Sequence, residues 1–97
     1  MAEINWTAEA QRWLEDIFEF IAMENPEAAT RVVSGIYERA QVLGTCPKIG
    51  YLYEPSRREV RVLLYGHFRI AYLVKDDGAV DILGVFHGAL DISRYLV

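Results

Sequence analysis

The spacing of apolar residues changes once along this chain, and that change restricts the fold more than any other feature of the sequence. Between residues 8 and 43, apolar side chains recur every three or four positions, which is the spacing of amphipathic helices. From residue 60 to residue 87 they fall at every second position, as in half-buried strands. A chain with this order of periods predicts helices packed on a sheet, the α+β class.

Two helices are predicted, each with a start signal of its own. The hydroxyl of Thr7 can cap the first helix, and Asn25 can cap the second because Pro26 fits a first helical position. Gly44 and Pro47 supply the stop. The first apolar stripe consists of Ala10, Trp13, Leu14, Ile17, Phe18 and Ile21, and the second of Ala29, Val32, Val33, Ile36, Ala40 and Leu43. The two helices form an antiparallel hairpin whose apolar side requires a partner layer.

The strands supply that layer. Ile4 and Trp6 alternate with polar neighbours, which predicts a short N-terminal strand. Three further strands are predicted over residues 59–65, 68–75 and 80–87. The turns between them contain Gly66-His67 and Asp77-Gly78, and glycine accepts the positive φ that such turns require. The expected fold is one domain over residues 1–97: an N-terminal strand and a helical hairpin packed on an antiparallel three-stranded meander.

Alternation also predicts which strand residues share a face. The first strand of the meander places Val60, Val62 and Leu64 opposite Arg61, Leu63 and Tyr65. The second places Phe68, Ile70, Tyr72 and Val74 opposite Arg69, Ala71, Leu73 and Lys75. The third places Val80, Ile82 and Phe86 opposite Asp81, Leu83 and Val85.

Length and composition exclude several classes of protein. A chain of 97 residues holds one modest core, so a ligand site is expected on a surface or in a shallow groove. Its single cysteine, Cys46, excludes an intramolecular disulfide and favours a reducing compartment. Residues 1–6 lack the layout of a secretion signal, and no apolar run approaches the ~18 residues of a membrane helix. We therefore expect a cytoplasmic protein without membrane contact.

Charge is distributed unevenly along the chain, whose net formal charge is -4. Residues 1–30 carry seven acidic side chains against one arginine, whereas residues 31–69 carry seven basic side chains against three acidic ones. An acidic first helix thus precedes a basic middle. Two solvated faces explain this pattern as well as a functional surface does.

Motifs for catalysis are missing from the sequence. It has no glycine-rich phosphate loop, no metal-ligand spacing of Cys and His, and no serine elbow, so no cofactor and no metal are expected. The remaining chemistry is cationic: Arg57, Arg58, Arg61 and Arg69, with Tyr65, His67, His87 and Tyr95 nearby in the inferred fold. The alternative is that Arg61 and Arg69 only pair with Asp81 and solvent.

Five phrases, in order and spanning nearly the whole chain, carry a family resemblance. They are INWTAEA (residues 4–10), NPEAA (25–29), LGTCPKIG (43–50), GHFRIAY (66–72) and ILGVFHG (82–88). With them the sequence resembles the RelE/ParE toxin superfamily of type II toxin–antitoxin systems, in its ParE-like, plasmid stabilisation branch.

The resemblance implies a toxin that inhibits DNA gyrase by contact and is neutralised by a ParD-like antitoxin in a hetero-oligomer. Operator DNA would be bound only through the antitoxin. Such a toxin needs no catalytic group. The candidates for target contact are Arg57, Arg58, Arg61, Arg69 and His87.

The alternative within the superfamily is a RelE-type, ribosome-dependent messenger RNA endonuclease. Arg69 and Tyr95 match residues of such enzymes, and Arg61 and His87 would complete a catalytic set. The family's second arginine falls on Ala89, however, and an acidic chain is poorly suited to ribosomal phosphates. A third possibility is a non-toxic domain that only binds its partner.

Overall fold

The fold combines two helices with one five-stranded sheet in a computed structural model that describes residues 1–88. The elements in chain order are β1 (Ile4–Trp6), α1 (Ala8–Ala22), α2 (Pro26–Ala40), a 3₁₀ helix (Gln41–Gly44), β2 (Tyr51–Leu52), β3 (Val60–Tyr65), β4 (Phe68–Val74) and β5 (Val80–His87). The predicted α+β class is confirmed.

Both helices begin where the sequence predicts. The Thr7 Oγ1 atom accepts a hydrogen bond from the Ala10 N–H at 3.1 Å, and the Asn25 Oδ1 atom accepts one from the Ala28 N–H at 3.0 Å. Each bond satisfies a backbone donor that has no partner within the helix, typically worth about 1 kcal/mol. Thr7 also donates to the Ile82 carbonyl at 2.7 Å, so the start of α1 is fixed to β5.

The sheet contains the predicted meander and extends it at both edges. Its strand order is β1-β5-β4-β3-β2, in which β1 pairs with β5 in parallel and every other pair is antiparallel. The turns at Gly66 (φ 56°) and Gly78 (φ 89°) adopt the positive φ expected of them. The strand β2 was not predicted, because two residues are too few to show alternation.

One predicted face is wrong, because β5 contains a bulge. Consecutive residues of β4 pair with Ile82 and Gly84, so Leu83 is an extra residue that shifts the alternation by one position. The sequence places Phe86 on the same face as Ile82. In the structure Val85 takes that place, and Phe86 lies on the opposite face with Val62 and Ala71.

The helices cover one face of the sheet and form the main core with it. The largest fully buried side chains are Tyr72, Phe86, Ile36, Leu43, Ile70, Ile82, Val60, Val62, Val80 and Val85. Trp13 packs against the clusters on both faces, and its ring meets that of Phe86 edge to face at a centroid distance of 4.7 Å. Phe18, which the sequence assigns to the apolar stripe of α1, is 38% exposed.

Candidate functional site

The five predicted contact residues do not form one site. Arg61 lies opposite Tyr72, and Arg69 lies opposite Leu64, three positions further along β3 and about 10 Å away. Because side chains alternate along a strand, this odd spacing places the two arginines on opposite faces of the sheet. The idea that both pair with Asp81 is wrong, since Asp81 contacts Asn5 at 3.2 Å and Lys75 at 3.8 Å.

Arg61 holds a loop of the protein itself. Its Nε atom donates to the Glu59 carboxylate at 2.8 Å, and its Nη1 atom donates to the carbonyls of Gly50 at 2.8 Å and Lys48 at 3.3 Å. Only 19% of the side chain is exposed. These bonds fix the loop before β2, so Arg61 positions neighbouring residues and presents little of itself to a target.

Tyr72 fixes the same loop from the core side. Its hydroxyl oxygen accepts a hydrogen bond from the Gly50 N–H at 2.9 Å. A Cβ atom at Gly50 would lie 2.6 Å from the Val62 carbonyl oxygen, so only glycine allows this approach. Burial raises the pKa of the Tyr72 hydroxyl above its usual 10.0, although the Gly50 N–H and the positive charge of Arg61 oppose that shift. Arg61, Tyr72 and Gly50 together form what we call the loop clamp.

Beside the loop clamp, four cations line an open pocket of about 880 Å³. We call it the basic pocket and define it by Lys48, Arg57, Arg58 and Lys75. Lys48 and Lys75 reach this point from distant parts of the chain, so sequence spacing gave no signal that they join the arginines. Acidic residues are interspersed with them, namely Glu59, Asp76 and Asp81.

The loop that carries Arg57 and Arg58 is closed by hydrogen bonds. The Tyr53 N–H donates to the Val60 carbonyl at 2.8 Å, which continues the pairing of β2 with β3. The Ser56 N–H donates to the Tyr53 carbonyl at 3.2 Å, and its hydroxyl accepts from the Arg58 N–H at 3.3 Å. Both arginines are exposed at the tip.

Arg69 and His87 lie at the other end of the sheet, next to His67. The rings of His67 and His87 are nearly parallel, with centroids 6.4 Å apart. Arg69 donates from Nη2 to the Gly88 carbonyl at 3.2 Å, and the Gly88 N–H donates to the His67 carbonyl at 2.7 Å. The two imidazoles therefore lie together here, whereas Arg69, which pairs with Phe86, lies on the opposite face of the sheet from His87, which pairs with Phe68. Tyr95, the remaining candidate, lies outside the described residues, as does Ala89.

A mostly apolar groove of about 640 Å³ separates this end of the sheet from the first helix. We call it the α1 groove and define it by its lining residues, Trp13, Asp16, Ile17, Phe20, Ile21, Phe68, Val85 and His87. Phe20 is 76% exposed, although it is large and apolar. In the sequence, the one sign of this groove is Phe20, a large apolar residue that lies outside the predicted apolar stripe of α1. The opposite wall comes from β4 and β5, which only the fold brings to α1.

The described part of the chain contains neither a metal site nor a membrane-spanning helix. Among residues 1–88, no group of three or more His, Cys, Asp or Glu side chains is arranged to hold a metal ion. No helix in that range has the length and apolar character needed to cross a membrane. Cys46 is a free, exposed thiol.

The fold defines the class: a small α+β protein in which a helical hairpin covers one face of a five-stranded, mostly antiparallel sheet. The family model described as ParE toxin of type II toxin-antitoxin system, parDE, matches residues 4–92. The chain therefore belongs to the ParE toxin family. No curated protein sequence gives a match.

Solved structures of toxin–antitoxin systems share the fold. A chain of the chromosomal ParDE system from P. aeruginosa matches with a TM-score of 0.73 and 26% identity, over 90% of this chain and 96% of that one. A chain of the RelBE2 toxin–antitoxin complex from Mycobacterium tuberculosis matches with a TM-score of 0.64 and 25% identity, over 89% of this chain and 96% of that one. The predicted membership of the RelE/ParE superfamily is confirmed.

Proposed function

We propose that this ParE-type toxin inhibits DNA gyrase by binding to it, without making or breaking bonds itself. The observation that carries the proposal is the separation of Arg61 and Arg69, on opposite faces of the sheet and about 10 Å apart along β3. An endonuclease needs cations that converge on one phosphate, together with a base for the attacking hydroxyl. An inhibitor needs only a complementary surface.

Two parts of the molecule are the proposed target contacts. The exposed guanidinium groups of Arg57 and Arg58 lie at the basic pocket. His87 lies at the far end of the sheet in the lining of the α1 groove, and Arg69 lies at the same end on the opposite face. Arg61 supports the first of these surfaces by fixing the Lys48–Gly50 loop. The proposal places the toxin in the cytoplasm, where gyrase acts.

We propose further that a ParD-like antitoxin neutralises the toxin and occupies the α1 groove. Both similar structures belong to toxin–antitoxin systems, and the groove offers the apolar surface that a docking segment needs. Asp16 lines the groove, and Glu15 and Glu19 are exposed on the same helix. The bound segment is therefore expected to be apolar with basic flanks, and operator DNA to be bound through the antitoxin.

The direct test is a gyrase assay with purified toxin. We expect loss of supercoiling and accumulation of linear DNA, both reversed by the cognate antitoxin. Ribosomes with a messenger RNA are incubated with the same toxin in parallel. Transcript cleavage with unaffected gyrase would overturn the proposal. If neither reaction changed and induction arrested no growth, the chain would be a partner-binding domain without toxicity.

The second candidate is the RelE-type endonuclease, and the similarity to the RelBE2 complex is the observation that favours it. The imidazoles of His67 and His87 lie side by side at the end of the sheet that carries Arg69. The predicted catalytic set was Arg69, Arg61, His87 and Tyr95. Arg69→Ala separates the candidates. An endonuclease should lose about 100-fold or more of its cleavage rate with antitoxin affinity unchanged.

A further inference from the structure

We propose that the basic pocket binds the phosphate backbone of double-stranded DNA, independently of base sequence. In its biological setting the inference rests on the proposed function, because that DNA would be the segment held by gyrase. The argument begins with Arg57 and Arg58. Both guanidinium groups are exposed, and within residues 1–88 neither has a hydrogen bond or ion pair to a protein side chain. Their charge is available to an external anion.

The two lysines of the pocket can exchange their present partners. Lys48 lies 3.8 Å from the Glu59 carboxylate, and Lys75 lies 3.8 Å from that of Asp81. Glu59 keeps a shorter partner in Arg61, at 2.8 Å, and Asp81 keeps its hydrogen bond from Asn5. A phosphate can therefore recruit both lysines without leaving either carboxylate alone. The pocket then offers four cations.

The loop that carries Arg57 and Arg58 is already ordered, which lowers the entropy lost on binding. Its ends are held by the hydrogen bond between Tyr53 and Val60, and its tip by the bonds of Ser56 to Tyr53 and Arg58. The loop clamp fixes Lys48 on the other side. Because the backbone is already ordered, contact with DNA restricts only the cationic side chains.

The chemistry of the lining favours DNA over an acidic protein. Apart from Leu73 and Val74, no large apolar side chain lines the basic pocket, and no aromatic ring does. Protein interfaces depend on a buried core of aromatic and apolar anchors, which the α1 groove has and this pocket lacks. Phosphate contacts need only positioned cations, and the guanidinium fork matches phosphate oxygens.

The net charge of -4 does not prevent this contact. At physiological ionic strength, exposed charges more than about 8 Å apart are largely screened, so the charges that line the pocket decide the local attraction. Its four cations outnumber Glu59, Asp76 and Asp81. The contact is expected to be weak on free DNA, in the range of non-specific binding, and to weaken further with salt.

The test measures the anisotropy of a labelled DNA duplex of arbitrary sequence with purified toxin in the absence of antitoxin. The variant is Arg57→Ala/Arg58→Ala, and the matched control is Arg12→Ala/Arg31→Ala, which removes the same charge from exposed helix positions. Salt is varied from about 50 to about 200 mM. The variant should bind about tenfold more weakly, and its slope of log affinity against log salt should fall by about 2. The control should change neither value to that extent.

The inference would be overturned if the parent toxin did not bind DNA, or if the variant and the control lost equal DNA affinity. It would also be overturned if polyglutamate displaced the labelled duplex as effectively as unlabelled DNA does, and that result would assign the pocket to an acidic protein. A toxin that binds DNA through this pocket but leaves gyrase active would overturn only the proposed function. A toxin that poisons gyrase while the double variant binds DNA unchanged would overturn only the inference.

Discussion

The basic pocket and the α1 groove lie on the same sheet-and-helix fold, yet they are lined by different kinds of side chain. The basic pocket is lined by four cations held on loops and strand ends, by three acidic side chains, and by Leu73 and Val74 as its large apolar residues. The α1 groove is lined mainly by aromatic and aliphatic residues on a helix whose exposed side is acidic. The difference suits the two surfaces to different kinds of contact, electrostatic attraction in the basic pocket and burial of apolar surface in the α1 groove.

The largest expected effect is on antitoxin affinity, through Phe20→Glu in the α1 groove. Phe20 is 76% exposed, so the substitution should leave the fold unchanged while it places a carboxylate where an apolar partner docks. We expect a loss of about 3 kcal/mol or more, roughly 150-fold in Kd, by titration calorimetry. Met23→Glu is the control, since Met23 is 84% exposed and does not line the groove. Equal losses in both variants would remove the groove from the antitoxin interface.

The second prediction concerns the loop clamp that supports the basic pocket. Gly50→Ala places a Cβ atom 2.6 Å from the Val62 carbonyl oxygen, and backbone cannot yield as a flexible side chain can. Chemical denaturation should show a destabilisation of about 2–3 kcal/mol. Gly44→Ala is the matched control, because its Cβ atom would make only ordinary van der Waals contacts, at 3.4 Å to the end of Met1, 3.5 Å to the Ala2 carbonyl oxygen and 3.6 Å to Ile4. A Gly50→Ala protein as stable as the control would contradict the clamp.

A smaller effect is expected when the clamp loses its cation. Arg61→Ala removes the donor to Glu59, Gly50 and Lys48, and should lower the free energy of unfolding by about 1–2 kcal/mol. Arg58→Ala should change stability by no more than about 0.5 kcal/mol, since its side chain has no bond to other described residues. If a denaturant titration showed a larger loss of unfolding free energy for Arg58→Ala than for Arg61→Ala, Arg61 would not be a structural residue.

The smallest effect is a pH dependence from Tyr72. Its pKa is raised by burial, so the folded state retains the hydroxyl proton at a pH at which the unfolded chain loses it. The resulting stability is fully present below pH 10.0 and is lost as the pH rises through the pKa of the folded state. Thermal unfolding at alkaline pH should show this loss, and Tyr72→Phe should reduce it. An unchanged alkaline slope in Tyr72→Phe would assign the dependence to other groups.

Local signals made much of the fold predictable. The caps at Thr7 and Asn25, the turn glycines Gly66 and Gly78, and the alternation in β3 and β4 each depend on neighbours within a few residues. The bulge at Leu83 could not be predicted in this way, because an extra residue is defined only against the partner strand.

The candidate site was less predictable than the fold. The arginines were found from their residue type, but spacing along the chain did not reveal that Arg61 and Arg69 lie on different faces of the sheet. Nor did it place Lys48 and Lys75 beside Arg57 and Arg58, since those residues come from separate loops and strand ends. Side-chain neighbours across a sheet depend on register, which long-range packing sets.

The sequence by itself determined the helices and the meander strands, because caps, turns and apolar periods act over short distances. Its five phrases also carried the resemblance to the family. The tertiary structure alone decided which cations meet, which aromatic residues line a groove, and that Arg61 serves the protein's own loop. Those outcomes depend on contacts between residues far apart in the chain, whose geometry exists only after the helices have packed on the sheet.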